Sequence, residues 1–171
     1  QTYKNLEIIL VNDGSTDDTL SILREYESLK NNIFVIDQPN RGVSAARNIG
    51  LFQAKGKYVY FLDSDDTLAE GSLAHFKQII TQHPDCQMFA FGYETRRGGC
   101  KVKSYVYPFF DIQEMSGKIL MKNYLNKKLC LHICSCIYNR HFLQKYKFHF
   151  REEVKMGEDL LFCLSVMLKV D

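Results

Sequence analysis

The sequence predicts an α/β fold in which helices flank a mainly parallel sheet of the Rossmann type. Two observations lead to this prediction. Short apolar runs rich in β-branched and aromatic residues alternate with helical segments through the first half of the chain, and glycine-containing turns separate them. A repeated strand–helix–strand order favours parallel pairing with right-handed crossovers. We expect one domain over residues 1–171, with a regular half from 1 to 93 and a less regular half from 94 to 171.

The elements of the first half follow from periodicity and from turn residues. A first helix begins at a capping-box-like pair, Ser15 and Asp18, and carries apolar residues on one face. A second helix begins at Ser44 and ends before Gly56, and its small residues suit close packing on a sheet. Four apolar runs are predicted strands, at 6–11, 33–36, 58–62 and 88–93. A third helix carries Leu73, Phe76 and Ile80 on one face.

The second half contains a predicted hairpin, two helices and one strand. The sequence Arg-Arg-Gly-Gly at 96–99 is a hairpin turn between strands 88–93 and 102–107. A helix around 119–125 and a strand around 131–138 follow. The segment 158–169 is a nearly all-apolar helix, so we expect it to be buried on most sides.

Composition excludes some classes of protein. The apolar share of 46% and the charged share of 25% are typical of a soluble globular domain. A net charge of +2 gives no support to nucleic-acid binding, and no apolar stretch is long enough to cross a bilayer. Cys130, Cys134 and Cys136 lie close enough in sequence for a zinc site, but the apolar residues between them favour a buried strand with reduced thiols.

Three aspartates directly follow the predicted strand 58–62. Asp63, Asp65 and Asp66 repel one another unless they face water, pair with cations or bind a metal. In open α/β folds the carboxyl ends of the strands carry the ligand site. A purely structural alternative, in which Asp63 ends the strand and Asp66 caps a helix, leaves Asp65 unexplained. The cluster therefore predicts metal or phosphate chemistry, on a nucleotide or a phosphate ester.

Three further segments place charged side chains beside strand and helix ends. Asp13 follows the first strand, where it either accepts hydrogen bonds from a ligand or belongs to a plain Asp-Gly turn. Arg41 and Arg47 stand near the start of the second helix, where they bind an anion or are solvated. Glu158 and Asp159 either complement the dipole of the last helix or supply a general base.

Taken in order, these segments resemble the nucleotide-sugar-binding domain of family 2 glycosyltransferases, which has the GT-A fold. The match is dense from Tyr3 to Leu73, sparse after that, and returns near Glu158. Four ordered motifs at suitable spacing are far more specific than any one of them. The motifs read EIILVNDGSTD at 7–17, NRGVSAARNIG at 40–50, GKYVYFLDSDD at 56–66 and GEDLLF at 157–162.

The resemblance implies an enzyme that transfers a sugar from a nucleotide-diphosphate sugar, by default a UDP-sugar, to a glycan or lipid-linked acceptor with inversion. It implies that Asp13 contacts the base, that Arg47 lies near the nucleotide, and that the stretch Asp63, Ser64, Asp65 binds the donor. Asp65, helped by Asp63 or Asp66, would hold Mn²⁺ or Mg²⁺. The resemblance makes Asp159 the base, with Glu158 beside it. It also implies cell-surface polysaccharide synthesis in the cytoplasm or at the inner face of a membrane, and leaves oligomerisation open.

Two alternatives and one departure from the family accompany this hypothesis. Asp63 to Thr67 also fits the Asp-x-Asp-x-Thr pattern of haloacid-dehalogenase-like phosphatases, with Asp63 as nucleophile, although two strand–helix units precede it here. A non-catalytic nucleotide-binding domain is the other alternative. The family places a strand and a helix before the segment that begins here at Gln1, so we expect this sequence to be a piece of a longer chain. Without that strand, the strand 6–11 of the piece has an unpaired edge.

Overall fold

A computed structural model describes residues 5–105 and 114–171 of the chain, and the fold is α/β. Helices and strands alternate through the first half, as the hydrophobic periodicity predicts. The strands are β1 (Ile8–Asp13), β2 (Ile33–Gln38), β3 (Tyr58–Tyr60), β4 (Met88–Ala90), β5 (Tyr93–Arg97), β6 (Cys100–Tyr105) and β7 (Cys136–Asn139). The helices are α1 (Thr19–Leu29), α2 (Val43–Gln53), α3 (Ser72–Gln82), α4 (Gly117–Leu125), α5 (Arg140–Lys145) and α6 (Glu158–Met167).

The strands form three separate sheets. β1 and β2 pair in parallel, from Ile8 opposite Ile33 to Asp13 opposite Gln38. β7 lies between β3 and β4 and is antiparallel to both. β5 and β6 form an antiparallel hairpin. Within the described residues, the expected parallel pairing is therefore confirmed for β1 and β2 but is wrong for the central sheet, because a late strand enters it in the opposite direction.

Several predicted boundaries are wrong by a few residues. Ser15 and Asp18 form no capping box: α1 begins at Thr19, and its first amide donates to the carboxylate of Asp17 at 3.0 Å. The predicted strand 58–62 ends as β3 at Tyr60, and the run 88–93 is divided between β4 and β5. The second strand of the hairpin is β6, and the prediction extended it to residue 107, which lies outside the described residues.

The segment before β7 departs furthest from the prediction of a strand at 131–138. Its first part is a 3-10 turn, Ile133–Ser135, because the ring of His132 accepts a hydrogen bond from the Cys134 amide. The strand itself starts only at Cys136. The short helix α5 was missed, although the Asn139 side chain caps it by accepting from the Phe142 amide at 3.1 Å.

An aromatic core lies beneath the ends of β3 and β7. The rings of Phe150 and Phe162 stack with centroids 4.1 Å apart, and Phe61 meets both edge-on. Tyr138 of β7 packs edge-on against Phe162. The helix α6 contributes four fully or nearly buried residues, which confirms the expectation from its apolar sequence. The guanidinium of Arg47 lies over this core, against the ring of Phe150.

Among the residues that the structure describes, the helices are all too short or too polar to pass through a bilayer.

Candidate active site

Arg47 of α2 joins two of the predicted acidic motifs. Its Nη2 atom donates to Oδ1 of Asp63 at 2.7 Å, and its Nη1 atom donates to Oε1 of Glu158 at 3.2 Å. The guanidinium stands 5.4 Å from the centroid of the Phe150 ring. The arginine side chain is 11% exposed, and those of Asp63 and Glu158 are 33% and 14% exposed. Three side chains from distant parts of the sequence therefore share one partly buried charge network.

The network keeps Arg47 charged. Burial lowers the pKa of its guanidinium, but the carboxylates of Asp63, Glu158 and Asp159 outweigh that effect and raise the pKa. Arg47 therefore remains a cation that is shared between Asp63, just after β3, and the start of α6. The sequence left the choice open between a solvated arginine and a functional one, and the structure places it inside the molecule.

One polar face of α2 holds the segment that leads to α6. Asn48 donates to the carbonyl of Phe150 at 2.9 Å and accepts from its amide at 2.7 Å. Ser44 donates to the carbonyl of Arg151 at 3.3 Å. Sequence reasoning gave Asn48 no role. The available signal was the spacing of Ser44, Arg47 and Asn48, which puts three polar side chains on one face of a helix of small residues.

Asp13 organises the loop between β2 and α2. Its Oδ1 accepts from the Gln38 side chain at 2.7 Å and from the Arg41 amide at 2.8 Å, and its Oδ2 accepts from the Gly42 amide at 2.8 Å. Burial raises the pKa of Asp13, but these hydrogen bonds outweigh it, so the pKa lies below its usual value. The carboxylate is thus an anion fixed at the sheet edge, where both the ligand and the turn interpretations had put it.

The adjoining turn is as tight as the Asp-Gly pair suggests. Gly14 has φ +72°, and a Cβ atom there would stand 2.6 Å from the Asn40 amide nitrogen. A side chain at this position would push the loop away from Asp13.

The aspartates form a turn at the end of β3. The Asp66 amide donates to the carbonyl of Asp63 at 3.0 Å, and the Asp63 amide donates to Sγ of Cys134 at 3.3 Å. Asp65, Asp66 and Ser64 are exposed, and within the described residues neither Asp65 nor Asp66 forms an ion pair. Exposed carboxylate oxygens are the ligands that Mg²⁺ and Mn²⁺ prefer, so these two residues fit a hard cation, whereas Asp63 already has Arg47.

The two acids at the start of α6 have different surroundings. Glu158 is bound by Arg47, while Oδ1 of Asp159 accepts from the Leu160 amide at 2.7 Å. Gly157 precedes them with φ +77°. Both acids also stand in the first turn of the helix, which the dipole favours, so the helix and the site share them.

The structure brings Arg47, Asp63, Glu158 and Asp159 together and puts Asp65 and Asp66 on the adjoining turn. Asp13 lies at the end of β1, where it binds the amides of Arg41 and Gly42 just before α2. Arg41, close to it, pairs with Glu152 at 3.1 Å, and both of these side chains are exposed. A cavity of about 920 Å³ opens elsewhere, between α3, β4 and α4, and none of the predicted site residues lines it.

Comparison with known proteins identifies the same class of enzyme as the motifs do. The family model described as glycosyl transferase family 2 matches residues 1–147 of this chain. The uncharacterized glycosyltransferase EpsJ of Bacillus subtilis is 29% identical over 175 residues, which span 100% of this chain and 50% of that protein. The minor teichoic acid biosynthesis protein GgaB of the same organism is 29% identical and is matched over 92% of this chain and 17% of its own length.

Solved structures agree in fold. The S. aureus TarS 1-349 structure has a TM-score of 0.80 at 27% identity, covering 100% of this chain and 49% of that one. Its complex with UDP-GlcNAc has a TM-score of 0.76 at 28% identity, covering 95% of this chain and 45% of that one. The chain thus spans about half the length of EpsJ and of TarS 1-349, and less of GgaB.

Proposed function

This chain belongs to glycosyl transferase family 2, and from that premise we propose that it transfers a sugar from a nucleotide-diphosphate sugar to an acceptor hydroxyl with inversion. The carrying observation is the Arg47 network, in which α2, the end of β3 and the start of α6 meet at one point. Three of the four ordered motifs thus contribute side chains to one place, which supports a shared site.

The donor would lie along the edge that runs from Asp13 to the aspartate turn. The fixed anion of Asp13 can accept from an N–H group of the base, and Arg47 supplies positive charge near the phosphates. A UDP-sugar is the donor we propose, because S. aureus TarS 1-349 has been solved in complex with UDP and with UDP-GlcNAc.

Asp65 and Asp66 would hold Mn²⁺ or Mg²⁺, with Asp63 kept nearby by Arg47. When bound, the ion offsets negative charge on the leaving diphosphate. The chain's own contribution is positional: the hydrogen bond from the Asp66 amide to the Asp63 carbonyl closes the turn and presents the two outer carboxylates to solvent.

Asp159 is the base that we propose, and Glu158 is a positioning residue. The ion pair with Arg47 commits Glu158 to the charge network, whereas Oδ1 of Asp159 accepts from the neighbouring Leu160 amide. Asp159 would take the proton of the acceptor hydroxyl as the acceptor oxygen attacks the anomeric carbon. The bond from that carbon to the diphosphate oxygen breaks in the same step, which inverts the centre.

The phosphatase alternative loses its support. The family match assigns the chain to glycosyltransferases, and Asp63, the nucleophile of that alternative, is held by Arg47 at 2.7 Å. For the biological role we propose synthesis of a cell-surface polysaccharide or teichoic acid, since GgaB is named for teichoic acid biosynthesis. We further propose that the activity is cytoplasmic, at the inner face of a membrane, where donor and acceptor meet.

Calorimetry with UDP, with and without Mn²⁺, tests the donor site. We expect binding that needs both the ion and Asp65, so that Asp65→Ala weakens it by about 100-fold while Asp85→Ala, an exposed aspartate between α3 and β4, leaves it unchanged. Equal binding by all three proteins would contradict the assignment. UDP binding without any transfer of sugar by the intact enzyme would support the non-catalytic alternative instead.

A further inference from the structure

A second cluster of metal-binding side chains lies where the segment before β7 meets the aspartate turn. Asp66 offers a carboxylate oxygen, His132 a ring nitrogen and Cys134 its sulfur, and these three atoms lie within 4.8 Å of one another. Two of the residues are half-buried and the aspartate is exposed. The fold alone creates this juxtaposition, since Asp66 is far from the other two residues in the sequence.

Hydrogen bonds fix the backbone that carries two of the three ligands. The hydroxyl of Tyr60 donates to the Cys134 carbonyl, and the amide of Asp63 donates to the Cys134 sulfur at 3.3 Å. Ser135 accepts from the His132 amide at 3.2 Å and donates to the His132 carbonyl at 2.8 Å. His132 and Cys134 are therefore preorganised against the end of β3, while the exposed Asp66 side chain can adjust.

We propose that Asp66, His132 and Cys134 bind one divalent cation of the Zn²⁺ class, at a site that shares Asp66 with the donor site and takes its other two ligands from the segment before β7. Imidazole and thiolate select borderline and soft cations such as Zn²⁺ and Co²⁺, whereas Mg²⁺ and Mn²⁺ prefer oxygen. Three protein ligands leave the fourth tetrahedral position open to water or to a ligand. This assignment rests on the three side chains and holds whether or not the proposed function does.

The geometry requires a small contraction. Bonds of about 2.0–2.3 Å around a tetrahedral ion put one sulfur and two nitrogen or oxygen ligands roughly 3.3–3.6 Å apart, so no pair of ligand atoms has to approach by more than about 1.5 Å. Rotation of the exposed Asp66 side chain can bring its oxygen closer to the other two ligand atoms.

The histidine must also give up one contact. One of its nitrogens, Nδ1, accepts from the Cys134 amide at 3.3 Å, and that bond is lost whichever ring nitrogen binds the ion. A hydrogen bond of 3.3 Å is long and therefore weak, so its loss costs little.

Occupation of this cluster would reach the donor site through Asp66. A bound ion would tie the aspartate turn to the segment before β7 and withdraw Asp66 from the hard cation. Where the proposed function holds, Zn²⁺ at one equivalent should therefore weaken the Mn²⁺-dependent binding of UDP. This makes the cluster an inhibitory site that responds to thiophilic metals.

Titration of the chelator-treated, reduced chain with Co²⁺ tests the cluster by optical absorption. We expect a thiolate-to-cobalt charge-transfer band that saturates at one equivalent and is bleached by Zn²⁺. Cys134→Ser should abolish the band, and His132→Gln should lower the Co²⁺ affinity by about 100-fold, because loss of a direct ligand costs at least as much as loss of an outer partner.

Two matched variants separate this site from others. Cys86→Ser removes a cysteine of the same half-buried class and should leave the band unchanged. Asp65→Asn should also keep the band although it loses Mn²⁺-dependent UDP binding, so failure of the donor site and failure of this cluster give different results. A band that survives in Cys134→Ser, or disappears in Cys86→Ser, would overturn the assignment.

X-ray absorption on the wild-type protein loaded with Zn²⁺ provides a test that needs no variant. We expect a single sulfur neighbour at about 2.3 Å together with nitrogen and oxygen neighbours at about 2.0–2.2 Å. A shell without sulfur, or with two or more sulfurs, would contradict the proposal.

Discussion

The Arg47 network and the two outer aspartates, Asp65 and Asp66, contain the same chemical group in opposite situations. In the network, Asp63 and Glu158 have a guanidinium partner within 3.2 Å and are 33% and 14% exposed. The outer aspartates are exposed and have no ion pair within residues 5–105 and 114–171. Paired acids hold segments of the fold together, whereas exposed ones remain available to a ligand.

The difference has a physical reason. A carboxylate that leaves water loses several kcal/mol of hydration unless a partner compensates, so the partly buried acids must be paired. An exposed carboxylate keeps its hydration and can exchange water for a cation at little cost. The two classes should therefore respond oppositely to substitution, with stability changing in one and binding in the other.

Removal of Arg47 gives the largest expected loss of stability. Arg47→Ala leaves Asp63 and Glu158 without a cation, and we expect the free energy of unfolding to fall by about 2–3 kcal/mol in urea denaturation. Arg41→Ala is the matched control, because its pair with Glu152 is 59% and 44% exposed, and it should cost less than about 1 kcal/mol. Equal losses in the two variants would remove the distinction between the network and the surface.

Asp13 tests whether an anion held by amides behaves like the paired acids. Asp13→Asn should cost about 1–2 kcal/mol near pH 7, since a charged acceptor of three hydrogen bonds becomes neutral. The pKa of Asp13 is lowered by folding, so its contribution is present above the unfolded pKa of about 3.9 and is lost as pH falls through the lower folded value. The stability gap between wild type and variant should therefore narrow below about pH 4.

A gap that stays constant between pH 6 and pH 3 would contradict this account of Asp13. Urea denaturation of both proteins at each pH provides the measurement, with circular dichroism to confirm that both are folded at the start.

Asp65 gives the smallest expected change in stability. Asp65→Asn should stay within about 0.5 kcal/mol of the wild type in urea denaturation, because the residue is exposed and outside the ion pairs of the described structure. The same preparation should lose Mn²⁺-dependent UDP binding in calorimetry. A loss of more than about 1 kcal/mol would mean that the outer aspartates also support the fold.

Much of this site could be predicted from the sequence, because it follows local patterns. Asp13 is the last residue of β1, Asp63 follows the apolar run that starts with β3, and Glu158 is the first residue of α6, so each lies near an element end that periodicity reveals. The acidic residues near the ends of β1 and β3 and the buried helix α6 were located in this way. The assignment of Asp65 and Asp66 to a metal stays a prediction.

What the sequence could not reveal depends on pairing between distant segments. The direction of β7 follows from how the chain returns to the sheet, and no local pattern in 131–138 encodes it. The contacts of Asn48 with Phe150 and the meeting of Asp66 with Cys134 likewise arise from tertiary structure. A hairpin turn needs no such information: it was predicted at 96–99 and lies at Gly98 and Gly99, although it joins β5 and β6 rather than strands 88–93 and 102–107.

The bonds from α2 to the last part of the chain also have a consequence for folding kinetics. Arg47 and Glu158 are 111 residues apart, and Asn48 and Phe150 are 102 apart. Contacts of such separation form late, since the entropy of closing the intervening loop must be lost first. During synthesis at about 5–20 residues per second, Glu158 would leave the ribosome roughly 5–20 s after Arg47. The nascent chain can therefore complete β1 and β2 well before the Arg47 network forms.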